Sequence, residues 1–332
     1  MEQRQLGKNG PLVSAMGLGC MAMSEFYGRR DDEKSRKVIS RALDLGINFL
    51  DTADTYGNGH NEELVAGVVR QWQRETTAKV VIASKFGIVR EKGEYRRQIC
   101  GRPDYVRTAL EASLKRLGLD HLDLYYIHRV DAGVPIEETM GALSCLVREG
   151  KIRYVGISEP SVATLERAHR IHPITCVQSE YSLFTREPEK ELLPFLREKG
   201  IGFVPYSPLG RGMLTGKLTR EKMADSQDMR RFLPRTGERH FDANASLVES
   251  LGQMAGQRGV SPSVMALAWV LGKGKHIIPI PGTRTLKYLE ENLSAASIEL
   301  TKGENETIEG VFHMGAASAE RYTLEGMKGV NL

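Results

Sequence analysis

The sequence predicts a (β/α)8 barrel, and three observations carry that reading. Eight short apolar runs recur along the 332 residues. Amphipathic helical segments follow most of them, the alternation expected of α/β folds. The runs are continuously apolar instead of alternating, as parallel strands buried on both faces require. The glycine fingerprint that opens a doubly wound sheet is missing, so closure into a barrel is the better match.

The runs, in order, are "VSAMGLGC", "INFLDTAD", "VVIASKF", "LDLYYIH", "IRYVGIS", "TCVQSEYS", "GIGFVPYS" and "HIIPIPG". Between the first and second runs, "DEKSRKVISRALDLG" spaces Val38, Ile39, Ala42, Leu43 and Leu45 along one helical face and stops at Gly46. "RPDYVRTALEASLKRLG" opens on Pro103 and Asp104 and stops at Gly118 in the same manner. "SVATLERAHRI" and "PEKELLPFLREKG" repeat the pattern. Three segments exceed a minimal barrel. Residues 4–14 read as a hairpin around "GKNG". Residues 215–243 are polar, arginine-rich and too long for a plain connection. Residues 301–332 read as a helix and a strap over one end of the barrel. The whole chain, 1–332, reads as a single domain.

Composition narrows the function. With 41% hydrophobic and 27% charged residues the chain can bury a full core. The net charge of +4 is spread along the sequence, not gathered in a stripe, so a nucleic-acid partner is not expected but an anionic small ligand is. Cys20, Cys100, Cys145 and Cys176 are far apart and form no CxxC pair, which points to a reducing compartment without a structural metal. The polar start "MEQRQLGKNGPLV" lacks a signal-peptide core and no run reaches membrane-spanning length, so the expected location is cytoplasmic.

In such a barrel the C-terminal strand ends face the active site. Those ends hold Asp51, with Tyr56 in its loop, then Lys85, His128, Ser158, Glu159, Gln178 and Tyr206. Each has an ordinary structural reading: a cap, a snorkelling chain end, a satisfied core histidine. Charged groups on apolar strands are nevertheless expensive unless paired, and Asp, Tyr, Lys and His gather at one end of three successive strands. That set suits proton transfer to a carbonyl oxygen. A tyrosine with a pKa near 10 is a poor acid–base at neutral pH; a lysine beside it is expected to lower that value, an aspartate to hold the lysine charged, and a histidine to orient the carbonyl. None of the four supplies hydride, so a cofactor is implied.

The stretches "FLDTADTYGNGHNEELVAGVV", "VVIASKFG", "LDLYYIHRVD", "GKIRYVGIS", "VQSEYSLF", "VPYSPLGRGMLTGK" and "PIPGTRTLKYLEENL" resemble, in order and over essentially the whole chain, the signatures of the aldo-keto reductases. The nearest likeness is to bacterial and plant pyridoxal reductase-like or auxin-induced-like members. The resemblance implies a TIM barrel that binds extended NADPH and reduces aldehydes or ketones, with Asp51, Tyr56, Lys85 and His128 as tetrad and Tyr56 as acid. It implies that Ser158, Glu159 and Gln178 meet the nicotinamide carboxamide and that Tyr206 stacks on the ring. Gly19, Cys20 and Met21 are placed to line the site by their position at the end of the first strand, and the resemblance implies that Ser207, Leu209, Gly210 and Gly212 follow the pyrophosphate. Gly282, Thr283 and Arg284 would meet the ribose phosphate, and Glu291 and Asn292 would read the adenine, with Tyr288 among the cofactor-binding positions. Two departures stand out. Glu159 replaces the family's usual asparagine and cannot donate as an amide does. Tyr288 stands where an arginine or glutamine is common, which leaves the phosphate to Arg284, aided by Lys287.

"GLGCMA", residues 17–22, scans as GxGxxA but is followed by a loop, not the helix a dinucleotide fingerprint requires. Arg230, Arg231 and Arg235 read either as a solvated loop or as a flap over an anionic ligand. Two rival functions use the same residues. One is a cofactor-sensing regulatory or binding protein on the same fold with little turnover. The other is a barrel lyase or isomerase with Lys85 as Schiff-base amine. The carbonyl substrate and the oligomeric state are not encoded in any motif.

Overall fold

The computed structural model describes residues 1–91, 96–225 and 227–332. Seven strands run parallel in one sheet: β1 (Leu18–Gly19), β2 (Phe49–Asp51), β3 (Val81–Phe86), β4 (Leu122–Ile127), β5 (Ile152–Ser158), β6 (Cys176–Glu180) and β7 (Gly202–Tyr206), each bonded to the next in chain order. The eighth apolar run, 276–281, closes the sheet. Ile278 N donates to Phe203 O at 2.9 Å and Ile280 N to Pro205 O at 3.0 Å, while Gly17 N donates to Pro279 O at 2.9 Å and Gly19 N to Pro281 O at 3.4 Å. Its regularity is broken for a covalent reason. Pro279 and Pro281 turn their carbonyls toward β1 but have no N–H to return, so that side of the seam has half a ladder.

Outside the barrel lie α1 (Asp32–Asp44), α2 (His60–Trp72), α3 (Pro103–Leu117), α4 (Ile136–Arg148), α5 (Val162–Ile171) and α6 (Leu192–Lys199). They are followed by α7 (Glu238–Gln257), α8 (Pro262–Gly272), α9 (Leu286–Ser294) and α10 (Lys302–Val311). Their ends follow local chemistry: the Asp31 carboxylate accepts from Lys34 N at the start of α1, and Gly118 takes φ 64° to end α3. Strand parity divides the core in two. Leu50, Ile82 and Tyr125 face the helices, whereas Phe49, Val81, Ala83, Leu124, Tyr126, Cys176 and Val204 fill the barrel. The hairpin of Gln3–Gln5 and Leu12–Ser14 plugs the N-terminal end with Leu6 and Val13, the closure expected of residues 4–14.

Parity places the chemistry. Asp51 stands two residues beyond Phe49, Lys85 two beyond Ala83, His128 two beyond Tyr126, and Gln178 two beyond Cys176. Each therefore points into the barrel mouth. The 215–243 segment is not one open loop. After the turn Gly210–Thr215 that leads into it, it contains short helical turns at Glu221–Met223, Met229–Phe232 and Pro234–Thr236, and its last residues already belong to α7; Ser226 lies outside the described residues. Tyr27 and Asp228 form an antiparallel bridge, so this segment is fastened to the loop after β1. Among the described residues no helix is long and apolar enough to cross a membrane.

Candidate active site

At the C-terminal mouth of the barrel, a cavity of about 500 Å³ opens over the inward-pointing residues. Lys85, fully buried, donates from Nζ to Asp51 Oδ1 at 2.5 Å, to Thr52 O at 2.8 Å and to the Tyr56 hydroxyl at 3.2 Å. Gln178 Nε2 donates to the second Asp51 oxygen at 2.8 Å. The Tyr56 and His128 rings meet edge to face with centroids 5.7 Å apart. Tyr56 and His128 line the cavity, while Lys85 lies behind Tyr56 and reaches the cavity only through its hydroxyl.

Burial sets the protonation of the group. Burial, then the Asp51 charge, pushes the Tyr56 phenol well above its ordinary value of 10. The lowering expected beside Lys85 is not the net result: desolvation of the phenolate dominates, and the cation that opposes the rise is Arg129. Tyr56 is therefore a phenol that keeps its proton until a partner demands it. Burial also lowers Lys85 and raises Asp51, and their mutual attraction opposes both shifts. For His128, burial, then Lys85 and Arg129, drives the imidazole well below 6.5. It is neutral, with one donor and one acceptor nitrogen, and its Nδ1 has no hydrogen-bond partner.

The cavity continues as a groove away from this centre. It is walled by Gly19, Met21, Ser158, Tyr206, Ser207, Leu209, Gly212, Gly282, Thr283, Arg284, Tyr288 and Asn292. Two of the glycines are needed where β1 and the closing segment approach each other: a Cβ on Gly19 would sit 2.8 Å from Ile280 O, and one on Gly282 3.0 Å from Gly19 O. Five cations border the groove, among them Lys222, which bonds Lys217 O. Arg211 pairs with Glu180 at 2.7 Å, Arg230 with Asp228 at 2.5 Å and Lys217 with Glu291 at 2.9 Å. Arg284 instead bonds backbone oxygens of Arg29 (2.9 Å) and Tyr27 (2.5 Å), and forms no ion pair among the described residues.

Several expected residues lie elsewhere. Cys20 is fully buried, with Sγ toward Leu18 O. Gly210 backs onto Phe184, and Glu291 is turned to Lys217 and Ser261. Glu159 does not line the groove. Its carboxylate is gripped by Arg321 at 2.7 and 2.8 Å and accepts from the Tyr206 hydroxyl at 2.7 Å and Glu180 N at 2.9 Å. Of the arginine cluster, Arg230 borders the groove, Arg235 is turned to Thr185 and Glu180, and Arg231 lies over the exposed Phe232.

Other cavity residues escape the reading of strand ends. Arg90 and Arg97 flank 92–95, and Tyr322 comes from the tail, where no periodicity marks a residue for the mouth. Arg129 had a signal: it directly follows His128 in "YYIHRVD", as costly a place for a guanidinium as for the imidazole before it.

The family model for the aldo/keto reductase family matches residues 15–312. A probable aldo-keto reductase 1 from Glycine max is 44% identical over 319 residues, covering 96% of this chain and 91% of that protein. Among solved structures, a glycerol dehydrogenase from Gluconobacter oxydans superposes with a TM-score of 0.83 at 29% identity, covering 93% of this chain and 94% of that one. The holo form of an aldo-keto reductase from Bacillus halodurans superposes with a TM-score of 0.79 at 28% identity, covering 98% and 99%. The chain belongs to the aldo/keto reductase family, an oxidoreductase of carbonyl groups built on a (β/α)8 barrel.

Proposed function

We propose that this protein reduces an aldehyde or ketone to the alcohol with NADPH, using Tyr56 as the proton donor. The observation that carries the reading is the Asp51–Lys85–Tyr56 chain, 2.5 and 3.2 Å long in its two links, ending at a cavity edge beside a neutral His128. When bound, the cofactor supplies the hydride; no side chain here does so. Ser158 and Gln178 would hold its carboxamide and Tyr206 its ring. Ser207, Leu209 and Gly212 would follow the pyrophosphate, with Arg211 and Arg230 as counter-charges. Arg284, without an ion pair among the described residues, has charge to spare for a ribose phosphate, which supports NADPH over NADH. Glu159, held by Arg321, is not assigned a cofactor contact.

The proton half of the reaction follows from the chain's own groups. A carbonyl oxygen in the mouth accepts hydrogen bonds from the Tyr56 hydroxyl and a neutral His128 N–H. As charge develops on that oxygen, the phenol gives up its proton, and the Lys85 ammonium 3.2 Å away steadies the phenolate. Asp51 and Gln178 keep Lys85 in place. Substituting Tyr56→Phe should lower turnover of a generic aldehyde by about 10²–10⁴-fold, while NADPH binding, read by fluorescence titration, stays within about twofold. A variant that binds NADPH normally and keeps most of its kcat would remove Tyr56 as the acid. Wild-type protein that binds NADPH but turns over no aldehyde of a broad panel would favour a cofactor-sensing role.

A further inference from the structure

Beside the barrel mouth, three side chains form a second constellation that carbonyl reduction does not use. Ser24 ends the short turn Met21–Met23 after β1, His60 is the first residue of α2, and Asp32 is the first of α1. Ser24 Oγ lies 2.9 Å from His60 Nδ1, and His60 Nε2 lies 3.0 Å from Asp32 Oδ2. Arg30 meets Asp32 at its other oxygen, at 3.8 Å, and leaves Oδ2 to the histidine. Asn61 Nδ2 donates to Ser24 Oγ at 2.7 Å and to Cys20 O at 2.9 Å. The approach depends on a glycine. Gly57 takes φ 58°, and a Cβ there would stand 3.0 Å from Ser24 Cβ and 3.2 Å from His60 Cβ.

The direction of each link is fixed by chemistry. A carboxylate only accepts, so in the neutral imidazole Nε2 carries the proton toward Asp32 and Nδ1 is left as acceptor. Cys20 O also only accepts, so Asn61 presents Nδ2 to Ser24 as a donor. Ser24 Oγ, receiving that bond, gives its own proton to Nδ1. Nucleophile, base and orienting acid stand in the relation that activates a serine, which is recognised by roles and not by chain order. A clasp between loops would not need it, because Asn61 ties this loop to α2 through Cys20 O alone. Solvent reaches the group: Ser24 is half-buried, and the side chains of His60 and Asp32 are 19% and 37% exposed.

We propose that Ser24, His60 and Asp32 form a second catalytic site, which hydrolyses short-chain acyl esters with good leaving groups. Ser24 lies outside the cavity wall, to which its neighbours Ala22 and Glu25 belong, so it meets small groups presented from solvent. Its Oγ attacks the acyl carbon while His60 Nδ1 takes the proton and Asp32 holds the imidazolium. The bond from the acyl carbon to the leaving oxygen then breaks, and that oxygen departs with the proton from His60. Water repeats the step on the acyl-serine, passing its proton through His60 and releasing the acid and the free hydroxyl. Nothing is oxidised or reduced, and the inference stands apart from the reductase reading.

The test needs no NADPH, so its failure leaves the reductase reading untouched. The full chain is incubated with a fluorophosphonate, from which an activated serine displaces fluoride, and the adduct is mapped by peptide mass spectrometry. The wild type should carry it on Ser24. It should also release p-nitrophenolate from p-nitrophenyl acetate over many equivalents, and complete labelling should abolish that turnover. Ser24→Ala should show neither label nor turnover. His60→Gln should slow the labelling by about 10²–10⁴-fold, the range supplied by a positioned base. A wild type whose Ser24 stays unlabelled, or which releases no more than one equivalent of p-nitrophenolate, would overturn the site. Labelling of Ser24 at the wild-type rate in a folded His60→Gln would overturn it too. Should His60→Gln lose its cooperative thermal unfolding, Asp32→Asn, at the more exposed end of the chain of bonds, reads the same dependence: slowed labelling upholds the site, and an unchanged rate overturns it.

Discussion

A histidine with 7% exposure beside an ammonium and several guanidiniums holds a proton poorly. His128 should therefore stay neutral below its ordinary 6.5, and the kcat/KM profile for a neutral aldehyde should run without an inflection there. An inflection near 6.5 that disappears in His128→Gln would show that the imidazole titrates in the working range. Glu159 poses the opposite problem, a buried carboxylate kept charged. Burial pushes its pKa up, but the charge and hydrogen bonds of Arg321 outweigh this and hold it below 4.5. A carboxylate whose folded pKa is depressed stabilises the fold fully above its unfolded value, and loses that contribution as pH falls through the folded one. Glu159→Gln should destabilise the protein by about 3–5 kcal/mol near neutral pH, because Arg321 is left buried without a counter-charge. The difference in urea midpoint from wild type should narrow once pH drops below about 4.5. A difference that stays constant into acid would mean the carboxylate contributes by shape alone. The sequence showed that Glu159 departs from the usual asparagine; it did not show the partner, since Arg321 lies 162 residues away.

At the scale of elements, what was legible was whatever obeys a short period. Asp51, Lys85, His128 and Gln178 share the inward parity of their strands, and period two is written in any six residues. The hairpin and the caps of α1 and α3 are local in the same sense. The seam at 276–281 was readable as an apolar run, but its irregular pairing follows from Pro279 and Pro281, whose missing donors matter only beside β1. Arg90 and Arg97 at the mouth were hidden because loops have no period and their contacts are long-range. Seam packing can be tested without touching the chemistry. A Cβ on Gly17 would stand 2.7 Å from the Phe49 ring and 2.9 Å from Ile280 Cγ2. Gly17→Ala should thus wedge β1 away from the closing segment and cost about 1–3 kcal/mol, the range for overpacking a tight core. Unchanged urea midpoint and slope would mean that the seam yields freely and that half a ladder is enough.

For the whole molecule, the groove joins parts far apart in the chain, and a ligand lying along it should bind them to one another. Tyr27 bridges to Asp228, Arg284 ties the last loop to Tyr27 O and Arg29 O, and Tyr322 brings the tail against Tyr206 with hydroxyls 3.1 Å apart. Asn331 N and Leu332 O anchor the strap to Glu159 O and Ser161 N, both at 2.9 Å, just past the end of β5. A ligand that binds only the folded state stabilises it by about 4 kcal/mol at a thousandfold excess over its Kd. For a chain of this size that raises Tm by about 5 °C. NADPH at such excess should produce that rise, and NADH at the same concentration a smaller one. Arg284→Ala separates the two jobs of this side chain. Loss of its backbone bonds should lower the Tm of the free protein, and loss of its charge should bring the NADPH-induced rise down to that given by NADH. If the free protein melts earlier but NADPH still outperforms NADH by the wild-type margin, Arg284 is a clasp between loops and the phosphate is read by another cation of the groove. If NADPH and NADH act alike already in the wild type, phosphate recognition is not built into this groove, and its cations serve the pyrophosphate alone.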